Sequence, residues 1–362
     1  DFDVLRGELD RVHWLGEFEK VGVSILPGEA GNRLVVDAKE KSWGPGYLRF
    51  GLRLESGFEG SADYLALAHY RRPEINRFGA EWRSIATIGE TSGLVSEFYQ
   101  PLHPRRKWFV APRVTWQREE LKAFLPDGAV EFFDTGQFLG QLEIGVQFSN
   151  VGEIRFGAGW GSLDGDPVSE TDFEPVDVDL GGWRLRGRVD TMDSPFFPTR
   201  GNQTDLDLLL SRESLGATDV YDKGALQLWQ AGSLGRNVVF GGLSLGTDFG
   251  SGLPLYDSFE LGGFLNLSGL QTGELRGNVL GLATLGYYWR AFQMGQVGDV
   301  YVGAAAQAGN VWQDVSGAGL SDLRYSGTLF VGADTPFVPV YLGFGMADQG
   351  ANSFYLFVGQ AF

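Results

Sequence analysis

The chain has 362 residues, with 43% hydrophobic residues, 14% aromatic residues, 54 glycines, no cysteine and a formal net charge of −17. The aromatic content excludes a disordered chain, and the lack of cysteine excludes a disulfide framework and a thiolate metal site. The acidic balance argues against nucleic acid as a partner, because neutralising phosphates needs a surplus of Lys and Arg. We expect no cofactor, no metal centre and no nucleic-acid partner.

Residues 1–45 differ in pattern from the rest of the chain. Apolar residues recur there at helical spacing, at Phe2, Leu5, Leu9 and Val12. Two strand-like runs follow at 18–26 and 33–39, separated by a Pro-Gly turn. This order predicts a partial α/β module at 1–45, the second half of a small domain. The first residues lack the basic and apolar regions of a signal peptide, so we expect a removed leader or a start partway through a longer protein.

Apolar and polar residues alternate through most of the chain after residue 46. In 141–148 one face carries Leu, Ile, Val and Phe and the other carries Gln, Glu, Gly and Gln, which is the period of a β-strand. A soluble sandwich would bury the apolar face, whereas a membrane barrel would turn it towards lipid. Many runs exceed the usual soluble strand of about 5–6 residues and carry aromatic residues near their ends, which favours spanning strands.

Sixteen such runs are present, and an even number of antiparallel strands closes a barrel with both chain ends on one side of the membrane. We therefore predict an all-β protein, with a 16-stranded antiparallel transmembrane β-barrel at 46–362. We expect long connections at 164–179, 214–222, 250–277 and 313–322. Such barrels usually have long extracellular loops and short periplasmic turns, so we expect these connections on the extracellular side. The predicted strands are 47–56, 61–72, 79–90, 92–101, 107–123, 129–149, 152–163, 180–192, 200–213, 223–235, 238–249, 278–291, 299–312, 323–334, 338–346 and 352–362.

Charged residues alternate with apolar residues in several of these runs. They are expected to face the lumen, because arginine at the bilayer midplane costs about 2–4 kcal/mol. If the runs at 180–192 and 200–213 are neighbours, three arginines face two aspartates across the ladder. We predict a structural charge network that only secondarily sets the passage of a chain. Its members are Arg49, Arg53, Glu143, Arg155, Arg184, Arg186, Arg188, Asp190, Asp205 and Asp207.

Catalytic patterns in the sequence are weak. The G-x-S-x-G string at 242–246 lies inside an alternating run, whereas a nucleophile elbow needs a strand-to-helix turn. The three histidines, His13, His69 and His103, are not placed beside an activated serine, so structural or surface roles are favoured. The loop at 164–179 holds seven acids and no base; a solvated loop is favoured over a site that bridges divalent cations or lipopolysaccharide. We expect no enzymatic activity from this chain.

Four motifs carry a resemblance to one family of proteins. The first is a D-x-x-D-x-P-x-x-P-x-x-G turn, formed here by Asp190, Asp193, Pro195, Pro198 and Gly201. The second is the proline-containing turn at 333–340 before the last two strands. The third is the tip of the loop at 250–277, formed by Gly262, Gly263, Leu267, Ser268, Gly269 and Leu270. The fourth is the C-terminal alternation of Phe354, Leu356, Val358 and Phe362.

Together these motifs resemble the bacterial surface antigen superfamily, in which periplasmic POTRA domains precede a 16-stranded outer-membrane barrel. The resemblance implies that loop 250–277 is a lid and that the C-terminal segment is read by the barrel-assembly machinery. Ser268 stands where the family has an arginine that pairs with a lumen acid, so that ion pair cannot form and a divergent branch is favoured. The POTRA-like remnant at 1–45, the segment 40–51 and the lid tip are most similar to patatin-like type V-d autotransporters.

This resemblance implies an outer-membrane protein with a periplasmic N-terminal module. Its barrel would anchor and translocate a patatin-like phospholipase passenger encoded before residue 1, so the full-length protein would be the enzyme. The implied partners are that passenger, outer-membrane lipids and lipopolysaccharide, and the barrel-assembly machinery during biogenesis; a homodimer stays open. The alternative is a transporter for separate protein clients, of the two-partner-secretion or barrel-assembly type. Loop 250–277 is long enough to fold into the lumen as a plug.

Overall fold

The fold was obtained as a computed structural model, which describes residues 18–28, 31–40, 46–57, 62–124, 130–148, 151–168, 175–293, 298–335 and 339–359. The predicted N-terminal helix, His13, Phe362 and part of the predicted acidic loop lie outside these residues. Near the N-terminus, β1 (Phe18–Gly28) and β2 (Gly31–Glu40) pair as an antiparallel hairpin. They coincide with the two strand-like runs, while the α/β module at 1–45 stays a prediction.

Within the described residues, sixteen antiparallel strands close into one barrel, in which β20 pairs with β3. This confirms the predicted fold class and the predicted number of strands. In chain order the strands from β3 onward, all of which except β14 and β15 belong to the barrel, are β3 (Tyr47–Gly57), β4 (Ala62–Arg72), β5 (Glu81–Gly89), β6 (Thr91–Pro101), β7 (Trp108–Phe124), β8 (Val130–Phe148), β9 (Gly152–Pro167), β10 (Val176–Asp190), β11 (Gly201–Ser211), β12 (Asp222–Leu234), β13 (Asn237–Thr247), β14 (Phe259–Leu261), β15 (Leu275–Gly277), β16 (Val279–Gln293), β17 (Asp299–Trp312), β18 (Arg324–Asp334), β19 (Pro339–Ala347) and β20 (Asn352–Gly359).

The short strands β14 and β15 form a hairpin outside the barrel ladder. The connections also contain short 3₁₀ helices, at Glu213–Leu215, Leu255–Asp257, Val315–Gly317, Leu320–Asp322 and Asp348–Gly350. None of the helices in the described part of the chain is long and apolar enough to cross a membrane.

The two faces of the barrel wall differ as the alternation predicts. In β3, Leu48 and Phe50 point outward and are 57% and 64% exposed, whereas the inward Gly51 and Glu55 are buried. Large apolar side chains are exposed on the outer positions of other strands as well, among them Leu285 and Leu329. An apolar outer face around a polar lumen is the arrangement of a membrane-spanning barrel and not of a soluble sandwich.

The wall is much taller on one side than on the other. β7 and β8 have 17 and 19 residues, whereas the closing pair of β20 and β3 is bonded only from Gly359–Gly51 to Ser353–Gly57. On the tall side, the ladder of β9 and β10 pairs Asp164 with Asp177. The prediction that 164–179 is wholly a loop was therefore wrong at both ends. Beyond the bilayer both faces of a strand meet water, so the alternation that marks a spanning strand disappears there.

Candidate functional site

The lumen is entered by chain segments from both ends of the barrel. At one end, called the lid end, residues 250–277 (the lid loop) fold inward between β13 and β16. At the opposite end, called the turn end, residues 191–200 (the turn segment) fold inward between β10 and β11. Near its start the lid loop is held by β12, since Lys223 Nζ lies 2.5 Å from Asp257 Oδ1 and 2.8 Å from its backbone carbonyl.

The tip of the lid loop is packed like a protein core. Leu261 and Leu267 are fully buried and Leu270 is 1% exposed, and all three pack with Leu282 of β16. Gly269 has a φ of 108°, and a Cβ at this position would lie 2.5 Å from the backbone nitrogen of Ala347. Only glycine fits so close to the wall with that backbone conformation. The other predicted tip residues, Gly262, Gly263 and Ser268, are buried with them.

Ser268 sits in a cage of neutral polar groups. Its hydroxyl oxygen accepts hydrogen bonds from the Thr328 hydroxyl and from the Leu265 backbone N–H, each at 2.8 Å. Its own N–H donates to Gln307 Oε1 at 3.2 Å, and the same oxygen accepts from the Ser326 hydroxyl. Gln307 and Thr328 escaped the sequence analysis. Gln307 interrupts a run of small residues in β17 at an inward position, which is the only pattern that marked it.

The lid tip is also bonded to the two strands that close the barrel. The Gly269 N–H donates to the Tyr355 hydroxyl of β20 at 3.0 Å, and the Ser353 hydroxyl donates to the Gly269 carbonyl at 3.2 Å. From β3, Glu55 accepts a hydrogen bond of 3.0 Å from Thr272 Oγ1. The lid loop therefore crosses the lumen and braces one of the shortest ladders of the wall.

At the turn end, the turn segment inserts an aromatic ring into the lumen. Phe197 is 2% exposed and stacks between Tyr301 and Tyr341, with ring centroids at 4.3 and 4.4 Å. The Tyr288 hydroxyl donates to the Pro198 carbonyl, and the Tyr341 hydroxyl donates to the carbonyl of Phe196. Such stacked rings add about 0.5–1.5 kcal/mol per pair beyond the apolar area that they bury.

The predicted turn motif holds this segment in shape. Asp193 accepts backbone hydrogen bonds from Thr199 and Arg200, at 2.8 and 3.2 Å, and one from the Thr199 hydroxyl at 2.5 Å. Slight burial opposes ionisation, but these hydrogen bonds outweigh it and lower the pKa of Asp193 below its usual value. Gly201 has a φ of 113°, and a Cβ there would lie 2.3 Å from the Thr191 carbonyl. Pro195 is exposed at the rim.

Phe197 belongs to an aromatic cluster that reaches up to the lid loop. The cluster includes inward side chains of β13, β16, β17 and β18, and the lid residues Phe264 and Leu265 pack against it. Phe264 lies edge-on to Phe330, with centroids 6.3 Å apart. The sector from β13 to β20 is thus filled with side chains from the turn end to the lid tip.

The opposite sector, from β5 to β11, is lined by charges. The register places Arg186 opposite Asp207, yet Arg186 reaches sideways to Glu143 and forms a two-pronged ion pair with Nε 3.0 Å from Oε1. Asp207 is taken by Arg184, whose Nε lies 2.8 Å from Oδ1. Glu143 is only 1% exposed and also lies 3.5 Å from Arg155.

The network contains acids and bases that the sequence analysis did not select. Arg155 lies 2.8 Å from Glu97 and 2.6 Å from Glu153, and its guanidinium covers the Phe109 ring at 5.1 Å. Glu97 in turn lies 3.5 Å from Arg83. These residues occupy inward positions of short alternating runs, but which of them meet depends on the stagger of the strands from β5 to β9.

Arg188 extends the network towards the turn end, where it lies 3.3 Å from Asp190 and 3.6 Å from Asp205. Two predicted members lie elsewhere. Arg53 of β3 pairs at 2.7 Å with a glutamate in the β5–β6 connection, and Arg49 is exposed and forms no ion pair with a described residue. Both belong to β3, which lies across the barrel from β9–β11.

The other predicted residues lie outside the lumen chemistry. Phe354 is 40% exposed on the outer face of β20, and Leu356 and Val358 share its alternation. Ser244 lies in the middle of β13 opposite Leu282, so no strand-to-helix turn exposes it. His103 lies in the β6–β7 connection, where its Nδ1 accepts from the Arg105 N–H at 3.1 Å, and His69 lies on β4.

The closed sixteen-stranded sheet and its apolar outer face define the chain as a transmembrane β-barrel protein. No protein-family model and no curated protein matches the sequence, but solved structures share the fold. BamA from Haemophilus ducreyi lacking POTRA domains 1–3 aligns with a TM-score of 0.69 and 15% identity, over 97% of this chain and 76% of that one.

Two further barrels give similar alignments. CdiB from Acinetobacter baumannii aligns with a TM-score of 0.69 and 9% identity, over 96% of this chain and 66% of that one. CdiB from Escherichia coli aligns with a TM-score of 0.66 and 14% identity, over 98% of this chain and 70% of that one. At these identities the likeness establishes a shared fold.

Proposed function

We propose that this chain is the outer-membrane translocator and anchor of a patatin-like phospholipase autotransporter. The lipase passenger would precede residue 1, and the POTRA-like module at 1–45 would lie in the periplasm. The observation that carries the proposal is the lid loop, whose buried tip is hydrogen-bonded to both closing strands through Tyr355 and Glu55. A loop in this position fills the sector of the lumen from β13 to β20 and must rearrange before a chain can pass along that sector.

The neutral groups that surround Ser268 favour the autotransporter, a divergent branch of the superfamily that the sequence resembles. A buried ion pair strongly penalises the loss of one partner, by about 3–5 kcal/mol. A neutral hydrogen bond contributes only about 0.5–1.5 kcal/mol net. A lid held by Ser268, Gln307 and Thr328 therefore opens more easily than one held by a buried arginine and acid.

The second candidate is a transporter for separate protein clients, of the two-partner-secretion or barrel-assembly type. The shared fold with CdiB and BamA supports it equally. The full-length gene product decides between the two. A patatin domain with G-x-S-x-G before residue 1, whose lipase activity in the full-length protein depends on that serine, supports the autotransporter. A second POTRA domain and a plug helix, with secretion of a separate partner, contradict it.

The role of the lid as a plug has its own test. Deleting residues 259–277 is expected to raise single-channel conductance in planar bilayers, because the tip no longer fills the sector between β13 and β20. The matched control is deletion of residues 315–321, a connection at the same end whose residues are mostly exposed. Equal conductance in both deletions and in the parent protein would contradict the plug.

A further inference from the structure

One inward arginine of the charged sector, Arg113, has no counter-ion among the residues that the structure describes. Arg113 lies at an inward position of β7, between Glu97 of β6 and Gln141 of β8 in the ladder. Its Nε is buried, and no described group accepts a hydrogen bond from it. Among the described residues, no carboxylate lies within ion-pair distance of its guanidinium. It stands in this respect apart from the arginines of the network around it.

The carboxylates around Arg113 are already engaged. Glu143 is held by the two-pronged pair with Arg186, and Glu97 is bonded to Arg155 at 2.8 Å. The charges that act most strongly on Arg113 include the guanidinium groups of Arg184 and Arg186 as well as these two carboxylates. Each of these carboxylates is thus already bonded to another arginine, and neither of them lies within ion-pair distance of Arg113.

Arg113 also faces open space on both sides. A cavity of about 530 Å³ extends from it towards the turn end, and Arg83 and Arg188 line that cavity with it. A second cavity of about 630 Å³ extends towards the lid end, where the amides of Gln117, Gln137 and Gln141 line it nearer to Arg113 in the ladder and carboxylates such as Glu119 and Glu260 also line it. Arg113 and Asp207 are the residues common to both linings. The free guanidinium is thus reachable through the open half of the lumen.

We propose that Arg113 is an anion-binding residue of the lumen and that it takes an oxyanion, a carboxylate or phosphate group. A guanidinium presents parallel N–H donors that match such a group in a bidentate manner. The amide groups of Gln117 and Gln141 in the same cavity add neutral hydrogen-bond donors. The oxyanion comes either from a small solute or from an acidic side chain of a polypeptide in the lumen. This inference does not rest on the proposed passenger.

Without a bound anion, the charge of Arg113 has no ion-pair partner among the described residues, and this affects the stability of the barrel. A partly buried charge without a partner destabilises the fold. In a buried ion pair, removing one member also destabilises the fold, because the other charge is left unpaired. Removing Arg113 should therefore stabilise the empty barrel, and a bound oxyanion should stabilise only the parent protein. Removing a paired arginine such as Arg184, which Asp207 holds, has the opposite effect.

The experiment follows thermal unfolding of the folded chain in detergent micelles, at matched ionic strength with potassium chloride, inorganic phosphate or hexaglutamate. Phosphate or hexaglutamate is expected to raise the unfolding midpoint of the parent protein saturably. Arg113→Gln should lose this shift and have a higher midpoint than the parent in chloride. Arg113→Lys, which keeps the charge but not the planar fork, should need a several-fold higher concentration. Arg184→Gln should have a lower midpoint in chloride.

The two probes separate the sources of the oxyanion. A shift with phosphate that depends on Arg113 identifies a small solute, and a shift with hexaglutamate alone identifies acidic side chains of a polypeptide. Each supports the proposal. The proposal is overturned if neither probe shifts the midpoint of the parent protein, or if Arg113→Gln and Arg113→Lys keep the full shift.

Discussion

Along β5 to β11 the inward positions of the wall hold arginines and acids, and cavities of about 530 and 630 Å³ remain beside them. Along β13 and β16 to β20 they hold aromatic rings and neutral hydroxyls, against which Phe197 and the lid tip pack. The outer faces of both sectors carry exposed apolar side chains, such as Ile144 and Leu329, as expected of a wall that meets lipid. The inward residues therefore differ with the content of the lumen and not with the membrane.

In the filled sector, we expect substitution of Phe197 to lower the free energy of unfolding most. Phe197→Ala removes the ring between Tyr301 and Tyr341 and should lower the free energy of unfolding by about 3–5 kcal/mol, the range for truncation of a core phenylalanine. Urea unfolding in lipid vesicles measures the loss. Pro195→Ala, at an exposed position of the same turn segment, is the matched control and should change stability by less than about 1 kcal/mol. Equal effects would mean that the ring does not hold the turn end.

In the charged sector, we expect substitution of Glu143 to lower the free energy of unfolding most. Glu143→Gln leaves Arg186 without its buried carboxylate, and we expect a loss of about 3 kcal/mol in the free energy of unfolding. The control is Glu90→Gln, because the pair of Glu90 and Arg53 is more accessible, at 18% and 22% exposure, and such pairs contribute about 0–1 kcal/mol. If both variants unfold at the same urea concentration, the network is not a stabilising element.

Ser268→Ala tests the contact between the lid loop and the barrel wall. The Thr328 hydroxyl and the Leu265 N–H lose their acceptor, and a buried unsatisfied donor costs about 1–3 kcal/mol. We expect faster cleavage of the lid loop by added protease and a smaller loss of global stability than for Glu143→Gln. Ser244→Ala, an inward serine of β13, serves as the control. Unchanged cleavage in Ser268→Ala would show that the hydroxyl does not fix the lid.

The smallest expected effect is a pH dependence at the turn end. Because the folded protein lowers the pKa of Asp193 below its ordinary value of 3.8, the carboxylate stabilises the fold above that value. The stabilisation is lost as the pH falls through the lower folded value. The midpoints of the parent protein and of Asp193→Asn should differ at neutral pH and converge on acidification. A difference that is constant with pH would assign the effect to the shape of the side chain.

Much of the fold could be predicted from the sequence, and less of the site. The alternation predicted the barrel strands, but it failed at Asp164 and Asp177, which pair in the ladder of β9 and β10. Gln307 and Arg113 went unnoticed, because an inward polar residue looks the same in sequence whether it is paired, caged or free. The α/β module at 1–45 stays a prediction.

A period of two and the lipid environment act within each strand separately, so local patterns were enough to predict a closed sixteen-stranded barrel with an apolar outer face. The three-dimensional fold is needed to see that Arg186 pairs with Glu143 and not with the opposite Asp207, that neutral groups surround Ser268, and that Arg113 has no counter-ion among the described residues. These outcomes depend on strand stagger and on contacts between residues far apart in the chain, such as Gly269 and Tyr355, which no local pattern encodes.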